Sequence, residues 1–559
     1  KYYKGLGTST AKEFKEYFKN KKIVSFQYND QTDDNAIDMV FNKNRSNDRK
    51  EWLGKYNSQE TLNTNHESIS IQDFTNKEMI HFSKYDCERS IPNAIDGLKT
   101  STRKIVYAAF LRNLIKEIKV GQFGGYVSEK ACYHHGETSL YKAIIGTAQE
   151  FVGSNNVNLL LPLGQFGTRL EGGNDHASER YICTALNDIT KYIFPKEDFP
   201  VLNYLDDDGT LVEPEFYVPI VPMILINGGK GIGTGFSYEG QCYNMENIIN
   251  YLKQKLKNKP ITSKIDVPYY EGFTGDVFEL PEKKFLIKGK YNIIKDDTVQ
   301  IIELPIGTWT TNYKTHLEYL MEDKDKRGKK KKPLVKSIIC NYTDAVVDFT
   351  IKFHKGVLGK LISKNIEYGC NKLEKELKLY TTKSTTNMNL FNDKQRLVRY
   401  ENVETIIEDY YKVRLETYKK RKEYQMKSLN SIVKILSNKA RFIKEQFDDI
   451  IDLRKKKKDI VIQLLLSRDY AILENDKEYK YLRNMTIDSV EEENYLKLMK
   501  EKEEKLQELT ILTNTSIEDL WLRELNILKK QWDKYRENRK HRVFGTKKAK
   551  KIKIKKKSN

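Results

Sequence analysis

The sequence predicts an α+β chain of several domains. Three observations lead there: 559 residues exceed what one hydrophobic core organises, strand-like alternation fills about 200 to 390, and helical periodicity dominates before and after it.

Taken in order, Thr10 and Glu13 have capping-box spacing for a helix to about Phe18, and Ile23–Phe26 reads as a short strand. Residues 28–68 are polar and rich in Asn and Asp, a connecting segment with helical patches. From Ile80 to about Pro195 the pattern is helical. Ile105, Ala108, Ala109 and Leu111–Leu114 form an apolar face behind a basic edge of Lys99, Arg103 and Lys104 that suits a nucleic-acid groove.

The stretch that organises the chain runs from Leu163 to Thr184. Glycines 164, 167, 172 and 173 are interleaved with Gln165, Arg169 and Arg180, a loop suited to a polyanion. Tyr181 stands where the loop meets an apolar segment, next to Arg180, whose guanidinium can face a phosphate in a bidentate manner. A phenol with a reference pKa of about 10 becomes a nucleophile when cations stabilise its anion or a base removes its proton. The alternative for Tyr181 is amphipathic packing.

Tyr217–Ile220, Met223–Ile226, Phe285–Ile287 and Val299–Ile302 read as strands. Asn227–Gly235 is glycine-rich but has neither phosphate-loop nor dinucleotide-loop spacing. Ile232, alone among those glycines, reads either as an apolar tip able to wedge between base pairs or as a residue buried in a tight turn. Lys326–Lys332 is a basic loop, a polyanion contact or a soluble insertion. Val403, Ile406, Tyr410 and Val413 open a helix to about Phe447, and a second helical stretch from about Glu491 to Leu528 is expected to return against it. Between them, Ile460–Leu466 is apolar enough to dimerise or to fill the tip of the arm. Lys547–Lys557 is a basic tail without acidic residues, expected to be disordered and to serve nuclear import or DNA association.

Ninety-eight Lys and Arg against 78 Asp and Glu give +20, which favours a polyanionic partner bound in a salt-sensitive way. No apolar run has membrane-spanning length and no signal peptide is present, so a soluble intracellular protein with no membrane role is expected. The six cysteines contain no Cys-x-x-Cys pair, and His134–His135 lack a nearby third ligand, so no metal site is expected in the chain. The run Asp206–Asp208 followed by Gly209 reads as a surface turn.

Gln165-Phe166-Gly167-Thr168-Arg169, Ser178-Glu179-Arg180-Tyr181-Ile182, Tyr133-His134-His135-Gly136 and Lys4-Gly5-Leu6-Gly7-Thr8-Ser9 together resemble the breakage-reunion core of eukaryotic-type DNA topoisomerase II. The resemblance covers nearly all of the chain before the basic tail and is weakest at about 320–400 and after about 465. It implies a fragment that begins mid-domain: the C-terminal part of a TOPRIM domain at 1–45, a connector at 46–79 and a winged-helix domain with the catalytic tyrosine at 80–200. A β-rich tower at 201–395, a coiled-coil arm with a C-terminal dimerisation gate at 396–535 and the basic tail at 536–559 complete it. It further implies that Tyr181 attacks DNA to leave a 5′-phosphotyrosyl break, that Arg180 stabilises the transition state, and that Ile232 promotes bending. Arg49 and Lys50, within Asp48–Trp52, and Lys99, Tyr133 and Trp309 match family DNA contacts; His134 and His135 are secondary candidates for DNA or proton handling. Double-stranded DNA, a homodimer and a nuclear location follow from the same resemblance. Mg2+ and ATP are expected for the full-length enzyme, with their ligands outside this chain. The rivals are a noncatalytic, dimeric DNA-binding and DNA-bending scaffold and a coiled-coil dimerisation protein.

Overall fold

The computed structural model describes residues 9–21, 23–63, 65–324, 329–330, 332–453, 455–474, 476–485 and 492–544. Lys547–Lys557, most of Lys4–Ser9 and most of Lys326–Lys332 lie outside the described residues. Residues 536–544, expected in the basic tail, instead continue the helix Ile517–Phe544, where buried Arg539 donates to Asn156 O and Glu150 O.

The helix Ala11–Lys19 carries the capping box that its spacing predicts: Thr10 Oγ1 accepts from the Glu13 amide while the Glu13 carboxylate accepts from the Thr10 amide. The strand that follows is Ser25–Gln27, paired in parallel with Ser68–Ser70. Between them the polar segment folds into the helices Gln31–Phe41 and Ser46–Gly54. Buried Asp33 holds the closure, accepting from the amides of Asn29 and Gln72 at 2.8 Å each.

The largest core joins distant parts of the chain: Ile91, Ile95 and Val106, the run from Ile220 to Ile226, Leu252, Tyr410, and Trp521, Leu528 and Trp532. A second core lies among the helices Thr100–Leu111, Val120–Lys130 and Glu137–Ala148 and the short ladder of Ile118–Lys119 with Cys183–Thr184. A third fills a four-stranded antiparallel sheet ordered Lys290–Lys295, Thr298–Glu303, Phe349–Phe353, Val335–Cys340, backed by the helix Thr310–Met321.

Two of the four expected strands form, within Lys284–Lys288 and Thr298–Glu303; Tyr217–Ile220 has no regular structure, and Met223–Asn227 is a buried helix. A short all-apolar run carries no period to separate strand from helix. Here Pro222 at the N-cap and Gly228 with φ +60° at the other end bound one helical turn.

The predicted arm helix is Val403–Phe447, and Glu492–Asn514 returns antiparallel along it: the Lys422 ammonium donates to Thr513 O and Phe447 meets Tyr495 edge-on. The stripe Val403, Ile406, Tyr410 is covered not by that returning helix but by the main core, in which all three are buried. At the tip Val461 and Leu465 are internal while Ile460 and Leu466 stay exposed, so Ile460–Leu466 fills the tip with one face and leaves the other uncovered.

Candidate active site

Residues 163–184 form a pinned loop. Its ends meet where Leu163 and Cys183 exchange backbone hydrogen bonds of 2.9 and 3.1 Å. Inside, Asp175 accepts from the Thr168 amide at 2.8 Å and hydroxyl at 2.6 Å, and the Gln149 amide donates to Phe166 O and Gly173 O at 2.9 and 3.1 Å. Gly167, at φ +89°, lies so close to the Gly173 backbone that any Cβ would overlap it.

The loop's far edge is a turn in which the Tyr181 amide donates to Ser178 O at 2.9 Å. The first amides of the helix Val120–Lys130 donate to the carbonyls on either side, Gly121 to Glu179 O at 3.1 Å and Val120 to Ile182 O at 3.0 Å. Ile182 is driven into the second core at 2% exposure, while Tyr181, at the end of the turn, points away from it. Tyr181 is accordingly 77% exposed, with Arg180 exposed beside it. A phenol held at a fixed edge and open to a large substrate, with a guanidinium next to it, is equipped to attack a phosphodiester. Amphipathic packing does not describe Tyr181.

The structure sorts the remaining candidates. Arg103 is not on a groove-facing edge: it is 6% exposed and bound to buried Asp96 at 2.7 and 3.1 Å and to Leu98 O at 3.0 Å. Arg169 is likewise inside, at 5% exposure, on Glu303 at 2.6 Å. Both guanidiniums are therefore unavailable to phosphate, since a buried carboxylate has already claimed each. Lys104 is spent on Glu213 at 2.9 Å and Ala131 O at 2.5 Å. Arg49 closes the end of the helix Gln31–Phe41, donating to Met39 O, Val40 O and Asn42 O. Lys50 reaches the Asn47 amide oxygen, 3.2 Å away. Lys99 caps the helix Thr100–Leu111 half-buried, and burial holds its ammonium below the usual lysine range.

His134 pairs with Asp207 at 2.8 Å and His135 with the Tyr85 hydroxyl at 2.5 Å, while Tyr133 packs edge-on against His135. Asp206–Gly209 is the expected turn, with Gly209 at φ +83°. Gln165 is exposed, its amide oxygen folded onto the Gly167 amide at 3.0 Å. Trp309 is half-buried, its indole covering Gly172 and meeting Phe151 edge-on. Sequence reasoning did not single out Gln149, Asp175, Tyr85, Asp207 or Glu303; the only signal for Glu303 is a carboxylate ending an apolar strand, which must find a cation once buried.

Ile232 is 69% exposed at the end of a hairpin of Gly229–Ile232 with Ser237–Gly240. The glycines either side of it explain the exposure. A Cβ on Gly231 would overlap Ser90 O and one on Gly233 would press on Cys87, so the hairpin lies flat on the helix Ile80–Ser90 and the isoleucine is turned away. Among the described residues no group of three His, Cys, Asp or Glu side chains is arranged to hold a metal ion.

Residues 89–526 match the family model for the A-type subunit of DNA gyrase/topoisomerase IV, and residues 1–87 match the C-terminal associated domain of TOPRIM. DNA topoisomerase 2 of Plasmodium falciparum (isolate K1 / Thailand) is 39% identical over 561 residues, covering 94% of this chain and 39% of that protein. DNA topoisomerase 2 top-2 of Caenorhabditis elegans is 37% identical over 595 residues, covering 96% of this chain and 38% of its own length. The chain thus spans well under half the length of these relatives. The crystal structure of the Plasmodium falciparum topoisomerase II DNA-binding, cleavage and re-ligation domain superposes with a TM-score of 0.83 at 38% identity, over 96% of this chain and 75% of that one. With most of its length matched, the chain belongs to the DNA gyrase/topoisomerase IV family, as a type II topoisomerase core of the eukaryotic kind.

Proposed function

We propose that the chain is the DNA-binding, cleavage and re-ligation core of a type II DNA topoisomerase, with Tyr181 as the nucleophile. The observation that carries this is the 77% exposed phenol fixed beside Arg180 at the edge of the pinned loop. The phenol oxygen bonds to phosphorus, the bond from phosphorus to the 3′ oxygen breaks, and the proton lost by the phenol ends on the released 3′ hydroxyl. The tyrosine then carries the 5′ end of the DNA. The phosphodiester energy is kept in the phosphotyrosine, so the reverse attack reseals the strand without a further energy source. Arg180 faces the charge that develops on the phosphoryl oxygens.

In this reading Ile232 bends the duplex, Lys50 and Lys99 hold phosphates, and His134, His135, Tyr133, Gln165 and Trp309 line the DNA. Two copies act on the two strands, joined through the arm, whose tip leaves Ile460 and Leu466 uncovered. Mg2+ and ATP belong to the longer enzyme, held by residues other than those described, and no step above runs through them. A nuclear location follows from the same reading. No helix among the described residues is long and apolar enough to cross a membrane.

The test compares wild type with Tyr181→Phe in protein carrying the TOPRIM segment of the longer relatives. Wild type should give a covalent protein–DNA adduct and the variant none, with duplex affinity within roughly threefold, because the lost hydroxyl contributes chemistry rather than binding. Adduct formation by neither protein, with binding and bending intact, would favour a noncatalytic scaffold.

A further inference from the structure

We infer that Arg169 and Glu303 are positioning residues: their buried ion pair latches the loop that presents Arg180 and Tyr181 onto the sheet and helix of residues 298–321. The inference rests on the reading of Tyr181 given above and adds what holds that tyrosine in place.

Three contacts on neighbouring loop residues carry it. The Arg169 guanidinium meets Glu303 at 2.6 Å, both residues being at least 95% buried. Glu303 is itself fixed, accepting from the Leu304 amide at 3.0 Å and from the Thr274 amide and hydroxyl at 3.2 and 2.9 Å. The backbone of the same loop caps the helix Thr310–Met321: the Thr310 amide donates to Arg169 O at 3.3 Å and the Thr311 amide to Leu170 O at 3.0 Å. Those amides have no partner within the helix, so the carbonyls of 169 and 170 satisfy groups that would otherwise be lost on burial. Third, Gly172 lies at φ +63° under the Trp309 indole, where any side chain would overlap the ring.

On its other side the loop is held by Gln149, and Asp175 ties it internally to Thr168. Residues 166–175 are therefore clamped between two bodies, and Arg180 and Tyr181 project from the end of the clamp. Arg169, a charge whose ordinary use is phosphate binding, here touches no surface a duplex can reach. Nucleophilic attack tolerates little misplacement, a shift of about 1 Å costing roughly 10²-fold in rate. Loosening this latch should thus be read in the rate of adduct formation rather than in DNA affinity.

The experiment uses protein carrying the TOPRIM segment and measures single-turnover adduct formation against DNA concentration, with amide exchange of residues 166–175 measured in the absence of DNA. Glu303→Gln removes the charge and leaves one acceptor oxygen, enough for the Thr274 side or the Leu304 side of the present carboxylate but not both; Gly172→Ala displaces Trp309 without touching the ion pair. Each should speed exchange across 166–175 and lower the maximal rate by about 30-fold; Glu303→Gln, which displaces none of the DNA-lining residues, should also leave the half-saturating DNA concentration within about twofold. Arg169→Lys should recover part of the rate lost in Arg169→Met, and Arg169→Met with Glu303→Gln should be no worse than either alone.

Wild-type rates in Glu303→Gln and Gly172→Ala would overturn the inference. So would an Arg169→Met variant that weakens DNA binding and flattens its salt dependence, since Arg169 would then be a phosphate contact. If Arg169→Met fails to fold, the other two variants decide. Adduct formation surviving in Tyr181→Phe would instead remove the reading of Tyr181, while faster exchange in Glu303→Gln would still establish the latch.

Discussion

Replacing Ile232 by alanine separates a DNA wedge from a core residue, because its burial divides the cost. Three side-chain carbons are lost, worth about 0.8 kcal/mol each when fully removed from water, so about 2.4 kcal/mol in all. Ile232 is 69% exposed in the free protein. Roughly 1.7 kcal/mol is then available only on insertion between base pairs, and about 0.7 kcal/mol belongs to the fold. The first figure lowers the ratio of bent to straight DNA within the complex by roughly 15-fold. The second moves the melting temperature by no more than about 3 °C in a chain of this size. Fluorescence energy transfer across an end-labelled duplex, at protein concentrations that saturate the DNA, reads the bent fraction directly. An unchanged distance distribution would refute the wedge, and a fall of about 8 °C or more in melting temperature would show that the side chain supports the core.

The other expectations concern charge, assembly and chemistry. Lys50→Ala with Lys99→Ala should flatten the log–log salt dependence of duplex binding by about two units, at roughly 0.9 per phosphate contact, measured by titration at several salt concentrations. Arg103→Met should leave that slope unchanged and cost about 3–5 kcal/mol of stability in denaturant unfolding, because Asp96 would remain buried and uncompensated. Ile460→Glu with Leu466→Glu should weaken self-association in sedimentation while the melting temperature holds, since both side chains are exposed at the arm tip; an unchanged dimer would place the interface elsewhere. Arg180→Ala should slow adduct formation by about 10²-fold or more, the cost of losing a preorganised charge at the transition state.

Local signals were legible in the sequence and long-range pairings were not. The Thr10–Glu13 capping box and the limits of the helix Val403–Phe447 were readable because caps and period act within a few residues. Glycines around Ile232 pointed to a tip, although their function as contacts against Ser90 and Cys87 depends on a helix 140 or so residues earlier, a separation no local pattern encodes. Lys104 and Arg169 were misassigned for the same reason, and Arg103 because nothing local shows that Asp96 is buried beside it. Arg103, Lys104 and Arg169 look alike as sequence, yet their carboxylate partners lie 7, 109 and 134 residues away, and only the fold shows that these charges are spent. The heptad stripe told which face of the arm helix is buried, not what buries it. At 223–226 four apolar residues carried no period at all.

The central claim is that Tyr181 is the residue that takes the DNA. It is tested most directly by trapping the protein–DNA adduct, digesting the protein and locating the nucleotide-bearing peptide by mass spectrometry. The account predicts that a phosphotyrosine linkage to the DNA 5′ end falls on Tyr181, between Arg180 and Ile182. An adduct mapped to another of the 35 tyrosines, or a linkage to the 3′ end, would contradict it.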